Sequence, residues 1–279
     1  MTRMRQIRDQ IATLGEIGEI LGAMKNLAMM ELQKLNRLRE MERRAVQTIE
    51  AAAADLARSY ALEPPQPAFL GIRLIVGSER AFCGDLNESL VTAAGKMSMH
   101  AERTVVVGSR SAALLAEAGC AAVSVAGASV TEEIDRVLER VVQELETLQR
   151  EAGRSRPMRL VASYADGETN AVRERRLAPI PDLPDPTPGF PYPPAVNLAP
   201  LDLFVRIADQ YLYAALHEVL YSALLAENRR RLLHMERALD HLNENRARLR
   251  LRYNAARQEE ITEEIEVILL SAEAISARA

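Results

Sequence analysis

Tryptophan is missing from this 279-residue chain, and only four phenylalanines and seven tyrosines share its role. With so few large rings and so much Ala, Leu, Glu and Arg, the composition leans toward long helices. Cysteine is scarce too. Cys83 and Cys120 sit in unrelated segments, with no CxxC and no Cys/His ligand spacing. That excludes a disulfide framework and a cysteine-based metal site, and predicts a reducing, cytosolic-type compartment. His234 and His241 stand seven apart, where a helical metal pair needs three or four. Charge of one sign is also lacking. The net charge is -4 and neither half is strongly basic, so a nucleic-acid partner is not indicated. No run reaches the roughly 18 apolar residues of a membrane span. The opening MTRMRQIRDQI is charged and has no apolar core, unlike a secretory signal.

What is present is a long helical pattern at each end. From Thr2 to about Arg58 there is no proline, and apolar residues recur at three and four. Ile11, Leu14, Leu21 and Met24 lie on this stripe, which predicts one helix of ~85 Å if unbroken. Gly15, Gly18 and Gly22 interrupt the stripe; each weakens the helix but allows close approach of another chain segment. From Leu201 onward proline and glycine are again absent. Leu239 and Leu242 belong to a second seam, broken at Arg246 and resumed slightly shifted at Ile261, Ile265 and Ile268. Neither helix can bury its stripe alone, so the two are expected to pair as an antiparallel coiled coil. The C-terminal helix outruns its mate, and its last turns require a further partner.

The middle alternates β-branched runs (69–78, 103–109, 120–127, 157–165) with helical stretches (86–99, 111–118, 130–151). That alternation predicts a small Rossmann-like α/β domain with a largely parallel sheet. Eight prolines between Pro179 and Pro194 rule out helix or central strand there. The expected organisation is 1–60 N-terminal coiled-coil helix, 68–178 inserted α/β domain, 179–197 proline-rich connector and 198–279 C-terminal coiled-coil helix. The turn GSERAFCGD lacks both GxGxxG and GxxxxGK[ST], which argues against a phosphate loop. Arg229, Arg230 and Arg231 read as a solvated helix face, with acidic bearing surfaces as a second reading.

Three segments in order, IRDQIATLGEIGEILGAMKNLA, VGSERAFCGDLN and RYNAARQEEITEEIEVILLSAEAI, resemble the gamma subunit of the rotary F-type ATP synthase. The resemblance covers nearly the whole chain. It implies a rotor shaft without catalytic residues, cofactor or metal. The implied partners are the alpha and beta ATPase subunits, the epsilon subunit and the c-subunit ring, and the implied place is the cytoplasmic face of the cell (inner) membrane. By the same resemblance, Arg257, Gln258 and Thr262 contact the catch loop of the beta subunit, and Cys83, Gly84, Leu86 and Asn87 form the foot-domain motif. The chain departs from the family pattern: Glu19 and Gly22 replace two lysines, Ala81 and Asp85 replace glycines, and Glu263 replaces a glutamine. These departures mark a divergent member, an alternative ATPase of the same type being one reading. Two rivals from other classes are a nucleotide-binding Rossmann-like enzyme with helical extensions and a coiled-coil scaffold of another cytosolic complex. The first needs a phosphate-binding loop. The second leaves the ordered motifs unexplained.

Overall fold

The computed structural model describes residues 2–62, 69–81, 83–97, 103–153, 156–180 and 193–276. Two helices bracket the chain: α1 (Thr2–Ser59), of 58 residues, and α5 (Pro200–Ser276), of 77. α1 runs unbroken through Gly15, Gly18 and Gly22. Their cost of about 1 kcal/mol each is small beside the burial of the apolar stripe. α5 opens on Pro200, whose fixed φ suits a first helical position where no N–H is needed. Between them come β1 (Leu70–Val76), α2 (Leu86–Met97), β2 (Arg103–Val107), α3 (Ser109–Glu117), β3 (Val123–Val125), a 3-10 turn (Thr131–Glu133), α4 (Ile134–Glu151), β4 (Met158–Ala165) and β5 (Val172–Ala178). Of the proline-rich connector, residues 181–192 lie outside the described residues. The chain divides into two compact units, Met1–Leu27 with Leu233–Ala279, and Ala28–Leu232.

The unit Ala28–Leu232 is built on one five-stranded sheet in the order β3-β2-β1-β4-β5. β1, β2, β3 and β4 are parallel, as expected. β5, which the sequence did not reveal as a strand, returns from β4 as an antiparallel edge in an otherwise parallel sheet. Its sequence, VRERRLA, carries four charges in seven residues, which hides it from a search for apolar runs and suits an exposed edge. The central strands are instead almost continuously apolar and buried, because helices cover both faces. On one face α4 presents Ile134, Val137, Leu138, Val141, Leu145 and Leu148, at helical spacing, to a core shared by Leu35 and Val46 of α1 and by Tyr211 to Leu225 of α5. On the other, Leu115 of α3 packs on Ile75 and Val106.

Charged contacts fix residues 28–59 of α1 to this unit. Glu31 accepts from the Thr131 amide (3.2 Å) and hydroxyl (2.7 Å), at the start of the 3-10 turn that leads into α4. Lys34 pairs with Glu132, and Arg39 with Glu168. His217 of α5 stands 3.1 Å from Asp135 of α4 and 3.9 Å from Glu42 of α1, with Tyr213 edge-on to its ring. Arg175 of β5 joins Glu218 (2.5 Å) and Glu50 (3.5 Å), tying the edge strand to both helices. Burial acts to lower the Arg175 pKa, but Glu218 outweighs it and keeps the guanidinium charged.

The unit of residues 1–27 and 233–279 is a helix pair. Lys25 pairs with Glu236 (2.9 Å), Gly18 faces Leu242, and Gly15 faces Arg246. Numbers rise along one helix as they fall along the other, so the pair is antiparallel. Met235 and Leu242 are buried in the seam, while Ile11, Leu14, Leu21, Met24 and Leu239 are half-buried, which is as far as two helices can cover each other. A Cβ at Gly15 would lie 3.5 Å from the Arg246 guanidinium, an ordinary van der Waals contact. The expected continuation of the seam does not form. Ile261, Ile265 and Ile268 are 45%, 52% and 64% exposed. The reason is register. Gln6, Ile7 and Gln10 share a groove with Leu249, Arg252, Ala255, Ala256 and Glu259, and α1 begins at Thr2, so it ends where Ile261 would need it.

Candidate partner-contact surfaces

The tail of α5 forms the first surface. Residues 261–270 are exposed throughout, including Ile261, Ile265, Val267, Ile268, Leu269 and Leu270. Arg257, Gln258 and Thr262 are exposed as well. Gln258 and Thr262 border a shallow depression with Glu259, Glu263 and Glu266. The Thr262 hydroxyl donates to the Gln258 carbonyl (2.9 Å), so toward a partner it can only accept. Arg257 and Gln258 carry side-chain N–H donors on this exposed stretch of the helix.

The second surface is the β1–α2 loop. Cys83 and Leu86 are buried with Leu90, Ala165 and Ala226. Gly84 adopts φ +60, which favours glycine. Asn87 locks the loop: its carbonyl accepts from the Ser78 amide (3.0 Å) and the Ser111 hydroxyl (2.8 Å), and its amide donates to Ser78 Oγ (2.8 Å). Burial pushes the Cys83 thiol up and Glu227 adds to the effect, so Cys83 is a packing residue rather than a nucleophile.

In an open α/β sheet a ligand sits outside the carboxyl ends of the strands, where the strand order reverses. Here that point lies between β1 and β4, and α5 occupies it. Gly167, in the β4–β5 turn, donates its amide to Ser222 Oγ (2.9 Å). Arg229 donates to the carbonyls of Gly167 and Glu168 in the same turn. Arg230 pairs with Asp85 and donates to the Asn170 carbonyl (3.0 Å). Arg231, 6% exposed, is held by Glu227, 2% exposed, and by Asn228 Oδ1 (3.0 Å), with Cys83 Sγ at 3.9 Å. The three arginines are therefore engaged with loops of the α/β domain. This corrects their reading as a solvated face, which rested on the rule that adjacent cations on a helix point to water. Asp85, a departure from the family pattern, is the counter-ion of Arg230. The neighbouring helix end is also taken. Glu79 accepts from the Ser109 amide (3.0 Å), the Ser109 hydroxyl (2.6 Å) and the Gly127 amide (2.8 Å), at the start of α3. Burial pushes the Glu79 carboxyl up, but these donors outweigh it and hold it below the usual range. A phosphate at α3 would have to displace a carboxylate of the chain itself.

Sequence reasoning missed the links of His217, Arg175 and Glu227. The last carried a signal: a Glu-x-x-x-Arg spacing directly after the mostly apolar run 219–226 puts both charges on one face of the helix.

The chain thus carries a small α/β domain between two long terminal helices, an architecture shared with known stalk proteins. A family model described as ATP synthase matches residues 3–275, and the chain belongs to that family, in its F1 gamma-subunit line. Solved structures with the same fold include chains of the Euglena gracilis mitochondrial ATP synthase. One, from the rotor in rotational state 1, has 13% identity, covers 93% of this chain and 99% of that chain, and gives a TM-score of 0.61. Another, from the OSCP/F1/c-ring assembly in rotational state 3, has 14% identity, with coverage of 99% and 95% and a TM-score of 0.66. A chain of the central stalk and c-ring of the Tetrahymena thermophila mitochondrial ATP synthase has 15% identity, covers 78% of this chain and 99% of that chain, and gives 0.52. Among the described residues no helix is long and apolar enough to cross a membrane.

Proposed function

We propose that this chain is the central-stalk rotor of an F-type ATP synthase, coupling rotation of an ion-driven c-subunit ring to the conformational cycle of catalytic alpha and beta subunits. The observation that carries it is the bare end of α5: six large apolar side chains exposed between Ile261 and Leu270, on a helix that has outrun its mate. Such a surface calls for an enclosing partner, and a sleeve of alpha and beta subunits supplies one. The chain itself performs no chemistry on ATP in this reading. The α/β domain with the proximal parts of α1 and α5 is the foot, resting on the ring together with an epsilon subunit, and the complex lies on the cytoplasmic face of the cell membrane. Arg257 and Gln258 are the directional contacts to loops of the beta subunit.

The test is co-expression of this chain with alpha and beta subunits from the same genome, followed by purification through a tag on the chain. A complex with ATPase activity is expected, which the chain alone lacks. In that complex, Arg257→Ala with Gln258→Ala is expected to keep assembly and to lower ATP turnover or its coupling. Recovery of the chain by itself, with alpha and beta left in the flow-through, overturns the rotor reading. Unchanged turnover and pumping in the double variant removes the beta-loop contact.

A further inference from the structure

We infer that Arg229, Arg230 and Arg231 form a torsional key, the point at which turning force passes between the α/β domain and α5. The inference rests on the rotor reading for its functional meaning and on geometry for its location. In a doubly wound sheet the reversal point between β1 and β4 is the natural crevice, because the loops after the two strands diverge there. This protein fills the crevice with consecutive residues of its own helix. Arg229 grips the turn after β4 by the carbonyls of Gly167 and Glu168. Arg230 bridges both loops, through Asn170 after β4 and Asp85 after β1. Arg231 anchors the set from below, buried against Glu227 and Asn228 and in contact with Cys83 of the first loop.

Three successive helical residues project about 100° apart, so they cannot all serve one flat interface. Spread over a wide sector of the helix and caught by two loops, they oppose rotation of α5 about its own axis. The close packing of residues 214–228 also resists that rotation, and the guanidinium contacts add directional hydrogen bonds to it. Guanidinium groups suit the task because several N–H donors sit in a rigid plane and keep their charge at any working pH. The turn's contacts from Gly167 to Ser222 and Leu225 of α5 lie on one side of that helix and hold the turn down without gripping the helix from flank to flank, while Glu168 also pairs with Arg39 of α1.

The experiment uses the complete complex in vesicles and the isolated chain in parallel. Arg229→Ala with Arg230→Ala leaves the buried Arg231–Glu227 pair intact. In the complex, this variant is expected to assemble and hydrolyse ATP while ion pumping per ATP falls several-fold, about threefold or more if a few key hydrogen bonds are lost. Exchanging charges, Arg230→Asp with Asp85→Arg, is expected to restore much of the pumping lost in Arg230→Asp alone, a recovery that a general loss of stability would not give. In the isolated chain, amide hydrogen exchange at 166–171 is expected to rise about tenfold in the double alanine variant. Full pumping per ATP in the double variant, or exchange at 166–171 equal to the parent chain, overturns the key. A parent chain that fails to assemble with alpha and beta instead overturns the rotor reading. The exchange measurement then still decides whether the arginines hold the loops.

Discussion

Gly167→Ala provides a sharp test of how α5 sits on the α/β domain. A Cβ at this position would lie 2.6 Å from Cδ2 of Leu225 and 3.0 Å from its Cβ and Cγ. Leu225 is wholly buried, so it has no space into which to turn. The β4–β5 turn must lift instead, which strains the Gly167 amide bond to Ser222 and the arginine contacts beside it. Crowding of a packed core costs about 1–3 kcal/mol. A weakened buried hydrogen bond adds about 1 kcal/mol. Lower freedom of the unfolded chain returns about 0.5 kcal/mol. The net expectation is a loss of about 2–3 kcal/mol, a fall in urea midpoint of roughly 1 M for an m-value near 3 kcal/mol/M. Leu225→Ala alone should lose about 3 kcal/mol through the cavity it leaves. In the double variant the new methyl enters that cavity, so the combined loss should fall short of the sum by about 1–2 kcal/mol. Tyrosine fluorescence is the probe of choice, because every tyrosine except Tyr253 belongs to the unit Ala28–Leu232 and no tryptophan obscures it. A neutral Gly167→Ala, or strict additivity of the two changes, would refute the described contact.

Two further outcomes test other parts of the molecule. Gly22→Ala should stabilise the helix pair by about 1 kcal/mol, since helix propensity favours alanine and nothing lies within 4 Å of the new Cβ; slower hydrogen exchange of α1 amides near residue 22 checks it, and faster exchange would contradict it. Burial pushes the Glu227 carboxyl up to about 7, Arg231 opposing it. A folded-state value raised above the unfolded one gives stability that is full below about 4.5 and is lost as pH climbs through about 7. The difference in stability between the parent chain and Glu227→Gln should therefore change by up to about 3 kcal/mol from pH 5 to pH 8, to the parent's disadvantage at the higher pH. A pH-independent difference would show that Arg231 keeps the carboxyl ionised across the range.

Most of the architecture was legible because it rests on periodicity. The stripes of α1 and α5 repeat every three or four residues over many turns, and β1, β2 and β4 are apolar runs that only a doubly covered sheet would bury. β5 was illegible for a definite reason. An edge strand pairs through its backbone and faces water with much of its surface, so Arg173, Glu174 and Arg176 leave no apolar signature. The end of the seam was misread because apolar spacing records which face of a helix is apolar, and not where its partner stops. Ile261, Ile265 and Ile268 keep the spacing after α1 has run out. The arginine triplet was misread because a single sequence gives no view of the loops that fold back upon it. The positions of Gly167, Asp85 and Asn170 opposite Arg229 and Arg230 exist only once β4 and β1 are neighbours.

Cover of α5 by the rest of the chain falls in steps along its length, and the steps fit the work proposed for it. Residues 214–228 are buried almost without a break, 233–260 show one buried or half-buried face, and 261–270 are bare. Each large apolar side chain left exposed forgoes about 1.5–3 kcal/mol of burial, so the bare turns hold a substantial driving force for enclosure by another molecule. That force is non-directional. A surrounding sleeve can satisfy it equally well at every angle of a turning helix, which makes Ile261 to Leu270 suitable for a bearing and unsuitable for sensing angle. Directional contacts are needed for the second task. Arg257 and Gln258 stand just before the bare turns with donors that demand a partner in one direction, and a hydrogen bond to a charged group is worth about 1.5–3 kcal/mol. A contact of that size is strong enough to distinguish one angular position from the next and weak enough to break in each cycle. On the proposed reading, bearing and angular sensing are thus divided between adjacent turns of one helix, the first resting on the exposed apolar side chains between Ile261 and Leu270 and the second on Arg257 and Gln258.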